Sequence, residues 1–138
     1  GIGFDENTMS LSLLRATIRP DVTSDMGHHN FSYMIYPHEN GAVEAGVNKL
    51  AFQFNEQLVK SDVSYNGDTF EPLYLQAMKD SEDGSMTVIR LSEQDGKRGK
   101  IKLSKSVKLL DMLENVIGEA VDTLEYKPFE IITIGIQK

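Results

Sequence analysis

Asn7-Thr8-Met9-Ser10-Leu11-Ser12-Leu13-Leu14-Arg15 leads through Pro20-Asp21 into Ser24-Asp25-Met26-Gly27-His28-His29-Asn30-Phe31-Ser32-Tyr33, and each end of this stretch carries a period of two. Met9, Leu11 and Leu13 alternate with Thr8, Ser10 and Ser12, the pattern of a half-buried strand. Phe31, Tyr33 and Ile35 alternate with Ser32, Met34 and Tyr36 and predict a second strand, which Pro37 ends. Between them, residues 19–30 are rich in proline, aspartate, serine and glycine and form a long loop. Loops of that length in compact domains are functional or packed against something, so this one is expected near an interface. Within it, Asp25-Met26-Gly27 predicts a tight turn, with Gly27 at positive φ and Asp25 capping backbone amides. Parity then points His29 inward with Phe31, Tyr33 and Ile35, where it requires a hydrogen-bond partner.

Past Asn40-Gly41 the period changes. Val43, Val47, Leu50, Ala51, Phe54 and Leu58 recur at helical spacing and predict one helix near residues 42–58. Asn66-Gly67-Asp68 punctuates the chain, and segments 73–78, 86–92, 100–103 and 129–136 then read as short strands. Asp83-Gly84 and Asp95-Gly96 supply turns, and Gly96-Lys97-Arg98-Gly99 reads as a hairpin turn. Short strands separated by regular turn signals are the signature of a β-sandwich. One segment is ambiguous: Leu109, Leu110, Leu113, Val116, Ile117, Ala120 and Val121 fit a helical stripe across 107–121, but Gly118 interrupts it.

A chain of 138 residues is one or at most two small domains, long enough to bury a real core. It opens on Gly1 with neither a basic n-region nor an apolar h-region, and so reads as a cut end without a targeting signal. No apolar run is long enough to predict a membrane helix, and no membrane partner is expected. Absence of cysteine excludes disulfides, thiolate nucleophiles and zinc–thiolate sites; it suits a reducing compartment, so cytoplasm is the default location. Fourteen basic against 21 acidic side chains give a net charge of −7. The basic cluster Lys97-Arg98-Gly99-Lys100, with Lys102, Lys105 and Lys108, is too narrow and too poor in aromatics for nucleic acid, and reads as a solvated hairpin.

The opening stretch resembles the C-terminal part of the α-mannosidases of glycoside hydrolase family 38. The resemblance rests on Leu13-Leu14-Arg15, the proline-containing loop, Asp25-x-Gly27-x-His29-x-Phe31 and Tyr36-Pro37-His38, in that order. Ile89-Arg90-Leu91, Glu93, Gly96-Lys97-Arg98 and Lys127-Pro128-Phe129-Glu130-Ile131-Ile132-Thr133 also look like the family's last hairpin and last strand. Ser10 stands where the family often has a basic residue, and Met26-Gly27 is followed by a histidine at 28; neither departure touches the core of the match. What the resemblance implies is a mainly β fold: residues 1–60, with the connecting helix, close a large supersandwich of galactose-mutarotase-like type, and 61–138 form a small terminal β-sandwich. It also implies that the segment around Met112-Leu113-Glu114 is strand, turn, strand rather than helix. The activity implied for the whole enzyme is retaining hydrolysis of α-mannosides, by an aspartate nucleophile and a zinc ion in a more N-terminal catalytic domain. This chain would then be a structural or accessory part, inactive alone, without cofactor, packed on the catalytic domain of its own polypeptide and able to form a homo-oligomer.

Its own residues offer little chemistry. His28 and His38 stand about 33 Å apart if the chain between them is extended at roughly 3.3 Å per residue, whereas zinc ligands converge within about 2.1 Å of the ion. No metal site is expected here. Two carboxylates about 5–10 Å apart would serve glycoside hydrolysis, but Asp80-Ser81-Glu82-Asp83 and Glu93 with Asp95 lie in turns, which favour acidic residues anyway. Asp111 reads as a strand-edge or interface carboxylate. No Gly-x-Ser-x-Gly elbow or phosphate loop is present, and the scattered methionines read as core filler. Arg15 continues the buried parity of Met9, Leu11 and Leu13, and a guanidinium there needs a partner, Asp21 or Asp25. Arg15, Asp25 and His29 are therefore the candidates for the rim of a sugar site or for an interdomain contact; no catalytic residue and no metal ligand is assigned. The reading from another class is a free-standing carbohydrate-binding β-sandwich. With no tryptophan, and with Phe31, Tyr33 and Phe129 expected to be buried, its sugar platforms would be Tyr65, Tyr74 and Tyr126.

Overall fold

The computed structural model describes residues 1–56, 60 and 62–138, so Leu58 of the helical stripe lies outside the described residues. Residues 1–37 and 38–138 form two compact units. The first holds a hairpin of β1 (Ile2–Asp5) and β2 (Thr8–Leu11), in register Ile2↔Leu11 and Phe4↔Met9. The expected strand at 31–36 does not form; no ladder partner lies beside it among the described residues, and Phe31, Tyr33 and Ile35 are exposed. Alternation supplies a strand's faces, but pairing supplies its hydrogen bonds, and a lone hairpin buries too little to recruit a third strand.

The second unit contains α1 (Val47–Asn55) and β3 (Tyr74–Asp80), β4 (Met86–Ser92), β5 (Gly99–Leu110), β6 (Val121–Tyr126) and β7 (Ile131–Gln137). All its pairings are antiparallel, in the order β3-β4-β7-β5-β6. Because β7 lies between β4 and β5, the Asp95-Gly96 loop is a crossover and not the hairpin turn expected of it. Asp83-Gly84 does close a hairpin, with Gly84 at φ 72°. The strand read at 100–103 extends to Leu110, and its odd-numbered Ile101, Leu103, Val107 and Leu109 keep one face inward.

Strand β5 joins the two layers. Gly99 to Lys102 pair with β6, the register shifts before Val107, and Lys108 to Leu110 pair with β7. Sandwich corners are commonly built from strands that bend between sheets in this way. At the break, Ser104 donates both its N–H and its hydroxyl to Asp68 Oδ2, each at 2.9 Å, so the side chain of Asp68 replaces the missing ladder bond. The core lies between the layers: Ile89 and Leu91 of β4 with Ile132 and Ile134 of β7 on one side, Leu103, Val107, Leu124 and Tyr126 on the other. Registers Ile89↔Ile134 and Leu91↔Ile132 put these side chains on one face. A smaller cluster of Met86, Val88 and Leu110 fills the opposite face, where Gly135 leaves room for them. Met78 and Met86 do fill core space, but Met9, Met26, Met34 and Met112 are exposed, which corrects the general core-filling reading.

The helical stripe at 107–121 resolves as strand, turn, strand. The Asp111 carboxylate accepts from the N–H groups of Leu113 and Asn115 and from Asn115 Nδ2, at 2.8–3.0 Å. Those bonds fold the chain back, Glu114 and Gly118 take positive φ, and β6 begins three residues after Gly118. The Asn115 side chain first, then its N–H, hold the Asp111 carboxyl below its ordinary range, opposite to what a buried acid would show. We expect Asp111→Ala to leave the sandwich folded and to raise amide exchange across 111–117, measured by hydrogen–deuterium exchange.

At the start of β5, a Cβ on Gly99 would collide with the Tyr126 phenol, which is a rigid, buried ring. Gly99→Ala is therefore expected to cost about 1–3 kcal/mol by overpacking, read as a lowered melting temperature by circular dichroism.

Candidate functional site

In the first unit, the loop of residues 19–30 turns as its sequence predicts: Met26 N–H bonds Thr23 O, and Gly27 has φ 133°. Asp25 Oδ2 accepts from Thr17 N–H at 3.3 Å, and Asp21 Oδ1 accepts from both N–H and hydroxyl of Thr23. The bond from Thr23 N–H, more than that from its hydroxyl, holds the Asp21 carboxyl below its ordinary range. His29 Nε2 lies 3.1 Å from Asp25 O, and its ring stacks on Phe31 with centroids 6.1 Å apart. Asp25 and His29 are thus brought together, through the turn rather than through the strand pairing expected of them. His29 is exposed rather than turned inward, because the strand that would have fixed its parity is absent. Arg15 is exposed and makes no ion pair among the described residues; the aspartates proposed as its partners are engaged with Thr17 and Thr23. His28 is exposed as well, and His38 Nδ1 lies 2.6 Å from Asn40 O. Among the described residues, no three His, Asp or Glu side chains are grouped to hold a metal ion.

In the second unit the polar chemistry gathers where α1, the start of β3 and the β4–β5 loop meet. Gly46, left-handed at φ 68°, ends the turn over 42–46 and starts α1. The helix docks through Asn48, whose Nδ2 donates to Gln94 O and Asp95 Oδ1 at 2.9 and 3.0 Å. Phe52 meets Tyr74 edge-on, with ring centroids 5.3 Å apart and planes at 60°. The packed face is accordingly Val47, Asn48, Leu50 and Phe52; Ala51 and Phe54 of the expected stripe are exposed. Lys49 reaches Glu71 at 3.1 Å. Together with Gln53, Pro72, Leu75 and Asp95, these residues wall a groove of about 380 Å³. Desolvation first, then the charges of Asp95 and Glu93, push the Tyr74 phenol upward, so it remains a neutral hydroxyl.

Beside this groove lies Glu93, which the sequence places with Asp95 in a turn. It is 3% exposed, and its carboxylate accepts from the N–H groups of Asp95, Gly96 and Phe129, each at 2.9 Å. Burial works to raise its pKa, but the N–H dipoles of Phe129, Lys97, Asp95 and Gly96 prevail and hold it below the ordinary glutamate value. One side chain thus ties the β4–β5 loop to the β6–β7 turn. The only sequence sign is a glutamate three residues before a turn glycine, Glu93-Gln94-Asp95-Gly96.

The tyrosines named as sugar platforms divide. Tyr126 is in the core, Tyr65 stacks on Phe70 with centroids 5.7 Å apart, and Tyr74 lines the groove. Phe31, Tyr33 and Phe129, expected to be buried, are exposed. The basic cluster is partly neutralised across strands, by Lys102 with Asp122 at 2.6 Å and by Lys100 with Glu125.

Residues 72–134, which span β3 to β7, match the glycosyl hydrolases family 38 C-terminal beta sandwich domain. Alpha-mannosidase G of Dictyostelium discoideum is 30% identical over 150 aligned residues, covering 91% of this chain and 14% of that protein. Alpha-mannosidase of Saccharomyces cerevisiae is 31% identical over 156, covering 96% and 14% respectively. Alpha-mannosidase 2C1 of Mus musculus reaches 49% identity over 53 residues, 38% of this chain. The chain thus spans about one seventh of the length of the relatives it matches along nearly its whole extent. No solved structure matches it significantly. The antiparallel sandwich, its last strand and these relatives agree, and the chain belongs to glycosyl hydrolase family 38 as its C-terminal β region.

Proposed function

We propose that this chain is the structural, accessory end of an enzyme that hydrolyses α-mannosides with retention of configuration in cytoplasmic mannose metabolism, and that it is inactive alone. The observation that carries the reading is its match along 91% and 96% of its length to two α-mannosidases of which it is only 14%. Zinc, expected of the family, does not fit the residues here, since none of the described ones are grouped to bind it. We place the ion in a catalytic domain elsewhere on the same polypeptide. The stretch up to about residue 60 would close a larger β-sandwich, and 61–138 the terminal one. Exposed Ile2, Phe4, Met9, Leu11 and Leu13 in the first unit support a contact with further polypeptide, since so many adjacent apolar side chains are unusual on a free surface. Arg15, Asp25 and His29 are our candidates for that contact or for the substrate rim. A free-standing sugar-binding module accounts less well for this apolar surface, and one of its three tyrosine platforms is buried in the core.

The test compares the 138-residue chain with a polypeptide that also carries the preceding part of the reading frame. The longer protein is expected to cleave aryl α-mannosides and to contain zinc; the chain alone should do neither and should self-associate as its concentration rises, seen by analytical ultracentrifugation. One tightly bound zinc per purified chain, or a longer protein inert toward α-mannosides, overturns the proposal.

A further inference from the structure

The geometry points to a carbohydrate-binding position on this chain: the groove between α1 and β3 is a subsite for a mannose unit of an oligomannoside. The groove of about 380 Å³ falls within the roughly 300–1,000 Å³ usual for small-molecule sites. It has the two surfaces a neutral sugar requires. One is apolar and aromatic, from Phe52, Tyr74 and Leu75, against which the C–H face of a pyranose packs. The other is a rim of planar or charged hydrogen-bonding groups, Lys49, Gln53, Glu71 and Asp95, which serve vicinal hydroxyls.

The groove is also held in shape before any ligand arrives. Asp95 is fixed by Asn48 at 3.0 Å and its loop by Glu93, while the Lys49–Glu71 pair spans from the helix to the residue before Pro72. Preorganisation of this kind lowers the cost of binding a weak ligand. Tyr74 carries the argument furthest. Of the three tyrosines named as platforms, Tyr126 also borders a hollow with Arg98, Lys100 and Glu125 but is buried in the core, whereas half-buried Tyr74 lines its groove beside Phe52 and Leu75 as well as polar side chains. The ligand class rests on the proposed activity toward α-mannosides; the groove itself does not.

Titrating α-1,2-mannobiose into the isotopically labelled 138-residue chain tests the inference by NMR. Saturable shifts are expected at Lys49, Gln53, Tyr74 and Asp95, with a Kd on the order of 1 mM, and cellobiose should leave them unmoved. Lys49→Ala and Gln53→Ala alter exposed side chains on a helix that accepts alanine. Each should keep the wild-type melting temperature and weaken binding by about fivefold or more. No saturable response from folded protein, an equal response to cellobiose, or unchanged affinity in both variants overturns the subsite. Hydrolysis of aryl α-mannosides by the longer polypeptide is measured separately. An active enzyme with a silent groove rejects the subsite alone, and an inert one rejects the proposed function.

Discussion

Replacing Ile134 by alanine is expected to lower the stability of the second unit by about 4 kcal/mol, since large-to-small changes at fully buried aliphatic positions cost roughly 2–5 kcal/mol. Ile134 has no exposed surface, lies at the centre of β7, and faces Ile89 across one register and Leu109 across the other. It therefore touches both strands that β7 joins, and deleting its side chain opens a cavity where neither neighbour can follow without breaking its ladder. Chemical denaturation monitored by circular dichroism should show the midpoint fall with the m-value unchanged. Ile131→Ala, a control at the first position of β7, on the face opposite Ile132 and Ile134 and 56% exposed, should change it little. A loss below about 1 kcal/mol for Ile134→Ala would mean that the layers do not pack as described.

How far this architecture was legible depended on whether a segment carries its own instructions. Strand β4 was readable at both ends, because Asp83-Gly84 precedes it, apolar residues fill it and Glu93 closes it. Strand β5 was legible only at its start, since Ser104-Lys105-Ser106 interrupts the apolar alternation; the bond that carries the chain through comes from Asp68, 36 residues upstream. No local pattern reports a partner at that distance. The reverse held at residues 31–36, where the alternation is clean but the pairing is missing. Propensity favoured a helix at 107–121, and the fold overrode it through Asp111 and Gly118, whose turn chemistry is local and could be read.

The candidate site divides on the same line. Asp25 and His29 were brought together because four residues of turn join them. Arg15 has no ion-pair partner among the described residues because Asp21 and Asp25, expected to meet it, accept instead from Thr23 and Thr17. In the second unit, Tyr74 was singled out as an aromatic, but its neighbours Phe52, Lys49 and Asp95 come from two other elements that only the fold places beside it. Glu93 was missed because glutamate at a strand end reads as solvent-facing; what makes it structural is the set of N–H groups around it, which the side-chain sequence does not display.

Glu93→Ala should therefore cost about 3 kcal/mol, since buried hydrogen bonds to a charged group are worth roughly 1.5–3 kcal/mol each and several N–H groups would lose their acceptor together. Glu93→Gln keeps the shape and one acceptor oxygen but turns two donors toward donors, and should cost about half as much. The same carboxylate predicts a pH dependence. Its folded pKa lies below the usual 4.5, so the folded state binds its proton less readily than the unfolded chain does. Its stabilisation is thus complete above the unfolded value and lost as pH falls through the folded one. Asp83, brought down to about 2 by Ser81 and then by Ser85, extends the loss toward lower pH. Wild-type stability should hold steady from about pH 7 to about pH 5 and then decline, and the decline should be shallower in Glu93→Gln, which has no proton to take up there. Denaturation midpoints of the two proteins across that range decide the matter: parallel curves would show that Glu93 is not ionised in its nest, and an alanine variant as stable as wild type would show that the loops are joined by something else.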